Sequence, residues 1–221
     1  MSITPDDIAW DEFSSQFANE LYPEHKTQAI EEFTAERLRS YYVKYPDVLV
    51  PAVNALDESK QLHELGHNSA AIVFAASAVE LLFKSAVLRP VIYGLVHHDG
   101  LAETIVEVST GGSGFDRYEK LLQKLFAHLT YSDLASVSRK DAAKPLLKEC
   151  NDLQDKRNKI IHKGQRFGAE ESAWAAEVSA SAYHLIVGKM LYSLKLGVYD
   201  GHMILPFDPP TDDDSVDPTE D

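Results

Sequence analysis

An all-α fold is what this sequence predicts, and three observations carry the prediction. Apolar residues recur three and four positions apart along almost the whole chain. Alternating apolar and polar runs, the mark of half-buried strands, are nearly absent. With 44% hydrophobic and 25% charged residues in 221 positions, the chain has apolar material for one real core, the size of one domain with a small appendage.

The elements follow in order. A first helix spans about Pro5 to Leu21. Thr4 caps it, Pro5 takes the first helical position, Asp6 and Asp7 suit its positive end, and Trp10, Phe13, Phe17 and Leu21 form its apolar stripe. A second follows Pro23, carries Ile30, Phe33, Arg37 and Tyr41, and ends before Pro46. A third begins at Asp47, tolerates Pro51 in its first turn and stops at Gly66. The fourth starts after Asn68 or Ser69. Its nearly continuous apolar run from Ala70 to Ala76 marks it as the centre of a bundle, and Pro90 is expected to kink or end it. Between residues 91 and 114, Leu101, Ile105 and Val108 suggest a short helix, and Gly111 to Gly114 read as a linker.

Two strongly amphipathic helices come next. One, from Phe115 to about Tyr131, presents Tyr118, Leu121, Leu122, Leu125, Phe126 and Leu129. The other, from about Ala142 to Lys163, presents Leu146, Leu147, Cys150, Leu153 and Ile160 and is closed by Gly164. A last helix is expected from about Ala169 to Leu196, with Trp174, Val178, Leu185 and Ile186 inward and Gly197 at its end. Residues 208–221 carry seven acids and no base, and are expected to form a disordered acidic tail. The division is then an N-terminal helical extension over 1–46, a helical domain over 47–207 and the tail over 208–221.

Composition excludes some functions. A single cysteine, Cys150, rules out an intramolecular disulfide framework and a cysteine-based zinc knuckle, and reads as a small core residue. No basic segment followed by an apolar one opens the chain, and the apolar stretch from Ala70 to Val79 is interrupted by Glu80 and Lys84. The expectation is therefore a cytoplasmic protein without signal peptide or membrane span. The formal charge of −14 argues at first against nucleic acid. Divided by segment, it becomes −11 for residues 1–116, +6 for 117–166, −2 for 167–207 and −7 for the tail, so a basic region is hidden inside an acidic average.

Two motifs invite chemistry. His63-Glu64-Leu65-Gly66-His67 fits the H-E-x-x-H pattern of zinc peptidases, in which two histidines share a helix face and the glutamate activates a bound water. Its context disagrees. Gly66 falls where the helix should end, and Ala70 and Val73 stand where the longer pattern needs Gly and His. The better reading is an interhelical turn with two polar histidines, and no metal or other cofactor is expected. His97-His98-Asp99 likewise reads as a turn, and Gly111 to Gly114 lack the Lys-Ser/Thr pair of a phosphate loop.

The second motif is Arg157-Asn158-Lys159-Ile160-Ile161-His162. Arg157 and His162 lie about 140° apart around a helix, whereas Asn158 and His162 lie nearly on one side, to which the long arginine can swing. His162 falls in the last turn, where the helix dipole favours a cation. An arginine to hold a phosphate, an imidazole to move a proton and an amide to orient both are the groups that metal-free RNA cleavage needs.

The segment Asp155-Lys156-Arg157-Asn158-Lys159-Ile160-Ile161-His162-Lys163-Gly164 resembles the signature of HEPN domains: an Arg, a short spacer with a polar residue directly after it, and a His. Upstream, the helix ending at Gly66 and the following run from Ala70 to Lys84 are similar to the paired helices that open many of these domains. The resemblance covers about Asp47 to Gly197.

It implies an HEPN-like antiparallel helical bundle that forms a homodimer with a composite active site, acting on RNA without metal. His162 would transfer protons, Arg157 would hold the scissile phosphate and Asn158 would orient them. From charge and spacing alone, Lys156, Lys159, Lys163 and Arg166 around the motif either track an RNA backbone or form a solvated helix face, and Glu80 pairs with a neighbouring Lys or Arg in preference to standing behind Arg157. Family members often serve as toxins or antiviral defence effectors with an antitoxin or regulatory partner. Others are inert interaction modules, which is the alternative reading here.

Overall fold

The computed structural model describes residues 32–96, 99–110 and 116–207. The expected first helix, the start of the second, His97, His98, the Gly111 to Gly114 linker and the acidic tail lie outside them. The fold is mostly helical. Helix α1 covers residues 32–44, followed by α2 (Val50–Glu64), α3 (Asn68–Phe83), a π-helical segment (Lys84–Leu88), α4 (Arg89–Leu95), α5 (Asp99–Thr110) and α6 (Asp116–Thr130). Then come α7 (Leu146–Lys163), α8 (Ala169–Ser181), a second π segment (Ala182–Gly188), α9 (Lys189–Ser193) and two short strands, β1 (Leu196–Tyr199) and β2 (Met203–Pro206).

Helix α3 is central, as its apolar run predicts. It buries Ala71, Ile72, Ala75, Ala76, Val79, Leu82 and Phe83 completely or nearly so. Its alanines let α2 come close, and the buried Ser59 hydroxyl of α2 donates to the Ala71 carbonyl at 2.9 Å. The continuous helix Asn68–Gly94 is long and apolar enough to cross a membrane by length and composition, yet 61% of its most apolar window is buried inside the bundle. That is the pattern of a core helix.

Pro90 does not end this helix; it stands in the first turn of α4, directly after an irregular turn. A proline at 90 has no N–H for the carbonyl of Ala86, and its ring crowds that carbonyl. The chain widens into the π segment Lys84–Leu88 just before it, and the Ala86 carbonyl accepts instead from the buried Tyr42 hydroxyl at 2.6 Å. Burial raises the Tyr42 phenol above its ordinary value. In α5 the core-facing residues are Ala102 and Val106, while Leu101 points outward. In α6, Leu121 is exposed at the edge of the stripe formed by Tyr118, Leu122, Leu125, Phe126 and Leu129.

Three expectations about element ends and type are corrected. Helix α2 begins at Val50 after a turn, not at Asp47, with Pro51 in its first turn as expected. Helix α7 begins at Leu146, not Ala142, because Pro145 disfavours helix at the residue before it; Pro145 itself caps the helix in an extended conformation. The last helix does not run to Leu196. It passes through the π segment, stops at Ser193, and gives way to a hairpin in which Leu196 pairs Pro206 and Tyr199 pairs Met203. Asp200 and Gly201, both at positive φ, turn the chain, so the described residues form a mostly helical fold, as expected, with a small two-strand hairpin added to it. The Ile204 amide ties the hairpin to the Pro46 carbonyl at 3.0 Å.

Candidate functional site

The candidate residues sit on the C-terminal half of α7. One flank of that helix is fixed to α3: the Gln154 amide donates to the Ala76 carbonyl at 3.2 Å. The other flank faces α8, where Trp174 Nε1 donates to the Glu149 carboxylate at 3.3 Å. Leu146, Cys150 and Leu153 point between them into the core. Asn158 and His162 are left exposed on the outer surface, and Arg157 is half-buried. Arg157 Nη1 donates to Asn158 Oδ1 at 3.0 Å, so the guanidinium does swing toward the Asn158 side. Gly164, with φ of 63°, ends the helix directly after Lys163; the amides of Gly164 and Gln165 return to the Ile160 and Lys159 carbonyls.

The four expected RNA-binding cations are not equivalent. Lys159, Lys163 and Arg166 are exposed. Lys156 instead lies over two rings, its Nζ 4.5 Å from the Phe167 centroid and 5.5 Å from that of Trp174, on the α8 flank. Glu80 takes the structural alternative: its carboxylate accepts from Lys84, four residues on at the start of the π segment, at 2.6 Å.

The zinc pattern is not assembled. Gly66, with φ of 78°, ends α2 in a Schellman turn: its amide reaches the His63 carbonyl and the His67 amide reaches that of Leu62. His63 and His67 therefore belong to different helices, His67 being the N-cap of α3. His63 Nδ1 contacts the buried Ser172 hydroxyl at 2.7 Å, and that hydroxyl also reaches Asn68 Oδ1 at 2.9 Å. Among the described residues no group of three His, Cys, Asp or Glu side chains is placed to hold a metal ion.

The His63, Ser172 and Asn68 cluster joins α2, α3 and α8 at one end of the bundle, the end that also carries His162. Sequence reasoning missed Ser172 and Asn68, because three residues distant in the chain carry no common pattern. Beside the cluster, the Gly66 turn and the Gly164 turn enclose a hollow of about 540 Å³, bordered by Asn68, Ser69, Ile160 and Arg166. The Phe167 amide donates to Ser69 Oγ at 3.0 Å across it. Leu65, beside the Gly66 turn, and Ile161, next to His162, are large apolar side chains exposed to solvent.

Comparison with family models, curated proteins and solved structures finds no match.

Proposed function

We propose that the chain is a metal-independent endoribonuclease of the HEPN type. The observation that supports the reading is that Asn158 and His162 are exposed on the same stretch of α7, with the half-buried Arg157 guanidinium bonded to the Asn158 amide. The resemblance of residues 155–164 to the HEPN signature supports the same chemistry. His162 takes the proton from the ribose 2′-hydroxyl, whose oxygen attacks the adjacent phosphorus. The bond from phosphorus to the 5′-oxygen breaks, leaving a 2′,3′-cyclic phosphate and a 5′-hydroxyl. Arg157 balances the charge on the phosphoryl oxygens.

A single imidazole is either base or acid at one moment. In this reading the same face of a second copy supplies the group that protonates the leaving oxygen, so the active unit is a homodimer. The exposed Ile161 within the motif suits such a covered face. The reading places the protein in the cytosol as a toxin or antiviral effector held in check by an antitoxin or regulatory partner. The second reading, an inert helical interaction module, draws on the same exposed apolar residues.

The test incubates the purified chain with RNA in EDTA, beside His162→Ala and His63→Ala variants. Chelator-resistant cleavage is expected, reduced at least about 100-fold in His162→Ala and unchanged in His63→Ala. Cleavage that survives His162→Ala overturns the assignment. No cleavage of any RNA, with a dimer still formed, favours the interaction module.

A further inference from the structure

A second cavity, of about 640 Å³, lies between α2, the π segment Ala182–Gly188 and the β1–β2 hairpin. It is distinct from the hollow between the Gly66 and Gly164 turns, and no residue of α7 lines it. Sequence reasoning offered neither of its two distinctive walls, the π segment and the hairpin. Tyr183 holds them together: its hydroxyl donates to the Gly201 carbonyl at the hairpin tip at 2.8 Å. π segments widen a helix and re-aim its side chains, which is why they recur at binding sites.

Its lining states a chemistry. Val53, Leu56 and Leu191 give an apolar floor, and Tyr192, His184 and His202 bring flat rings to the walls. The Asn54 amide offers a donor and an acceptor in one plane, the combination that reads the edge of a nucleobase. The charges are Asp57, Lys60 and Asp200. Lys60 Nζ is bonded to Asp57 at 3.3 Å, so the ammonium already has its counter-charge, and Asp200 adds a second carboxylate to the lining. Such a lining stacks on a flat ring and repels an anion.

We infer that this cavity binds a small, flat heteroaromatic molecule without negative charge, of the nucleoside class, and discriminates against the phosphorylated form. The site is independent of the Arg157 and His162 surface and does not need it to cleave RNA. Gly188 provides a means of closing it. Its backbone, φ −57° and ψ −44°, accepts any side chain, and a Cβ there meets only the Tyr183 carbonyl oxygen at 3.5 Å. Gly188 lines the cavity, so a leucine there adds bulk at its wall from a backbone that tolerates a Cβ.

The experiment titrates the full chain calorimetrically with adenosine, guanosine, cytidine and uridine and with their 5′-monophosphates, each to about 5 mM, a range that detects affinities down to the millimolar class. At least one nucleoside is expected to bind, its monophosphate at least about tenfold more weakly. Gly188→Leu is expected to weaken that binding at least about tenfold, as is Asn54→Ala, a surface change that leaves the fold intact. The inference is overturned if no nucleoside binds, if the monophosphate binds as well as the nucleoside, or if Asn54→Ala binds as the parent chain does.

Discussion

Arg139 is the substitution whose effect the structure specifies most fully. Its guanidinium lies in the irregular segment before α7 and makes two hydrogen bonds to Glu149, Nε to Oε2 at 2.9 Å and Nη2 to Oε1 at 2.7 Å. Both side chains are largely out of water, 15% and 7% exposed, so solvent cannot replace either partner. A third bond, Nη1 to Glu177, ends on a carboxylate that is 68% exposed and contributes little. Arg139→Ala leaves the Glu149 carboxylate buried with only the Trp174 N–H at 3.3 Å. Breaking one side of such a pair costs about 3 kcal/mol, or about 6 to 12 °C in Tm for a chain of this size.

The pH dependence gives the test its sign. In the parent chain the Arg139 guanidinium holds the Glu149 carboxyl below the usual carboxylate range. Its contribution is therefore present above the unfolded value of about 4.3 and is lost as pH falls through the folded one. In Arg139→Ala, burial without a counter-charge raises that carboxyl, and acid neutralises it in the fold. Urea unfolding followed by circular dichroism should show the full cost at pH 7 and a smaller one near pH 4. A cost under about 1 kcal/mol at pH 7, or one that does not shrink in acid, refutes the reasoning. Replacing both partners, Arg139→Met with Glu149→Leu, should restore most of the loss.

Cys150 is fully buried and its thiol is raised above its ordinary value by that burial. Iodoacetamide should leave it unmodified in the native chain and alkylate it in urea, read as a mass shift. Tyr42→Phe removes the donor that the Ala86 carbonyl uses in place of the missing Pro90 N–H, at a cost of about 1 to 2 kcal/mol. The same change in a Pro90→Ala background should cost less in a double-mutant cycle, because residue 90 then has an N–H of its own. Ser172→Ala removes a buried hydroxyl that touches both His63 and Asn68 and should cost about 1 to 3 kcal/mol in urea unfolding.

Helix type and the core faces were legible where period and composition agreed. The alanine-rich run of α3, the stripe of α6 and the glycine stops at 66 and 164 all sit where the sequence puts them. What was not legible was non-local. The widening before Pro90 depends on a tyrosine 48 positions upstream to satisfy one carbonyl. The hairpin did carry a local sign, Asp200-Gly201 between Val198 and Ile204, but its four-residue strands are too short for alternation to outweigh the helical period of residues 169–193. The candidate site divides in the same way. The order and helical setting of Arg157, Asn158 and His162 are local, whereas the placing of Lys156 on two rings of a later segment is tertiary.

That last contact changes the electrostatic argument for RNA. Segment 117–166 has a formal excess of +6, but several of its cations are already engaged: Arg139 with Glu149, Lys144 with Asp152, and Lys156 with the faces of Phe167 and Trp174. Lys159, Lys163 and Arg166 are the exposed cations around the end of α7 that holds His162. If they and Arg157 meet phosphates, about four counterions are released, and log K should fall with log salt at a slope of about −3 for single-stranded RNA. Lys159→Ala and Lys163→Ala should each reduce that slope by about 0.7 without altering stability. Lys156→Ala should do the reverse, leaving the slope near its parent value and lowering stability by about 0.5 to 1 kcal/mol through the lost ring contacts. A Lys156 variant that changes the slope as much as Lys159 does would show that its ammonium meets phosphate despite the ring contacts, and the separate role given to Lys156 would fail.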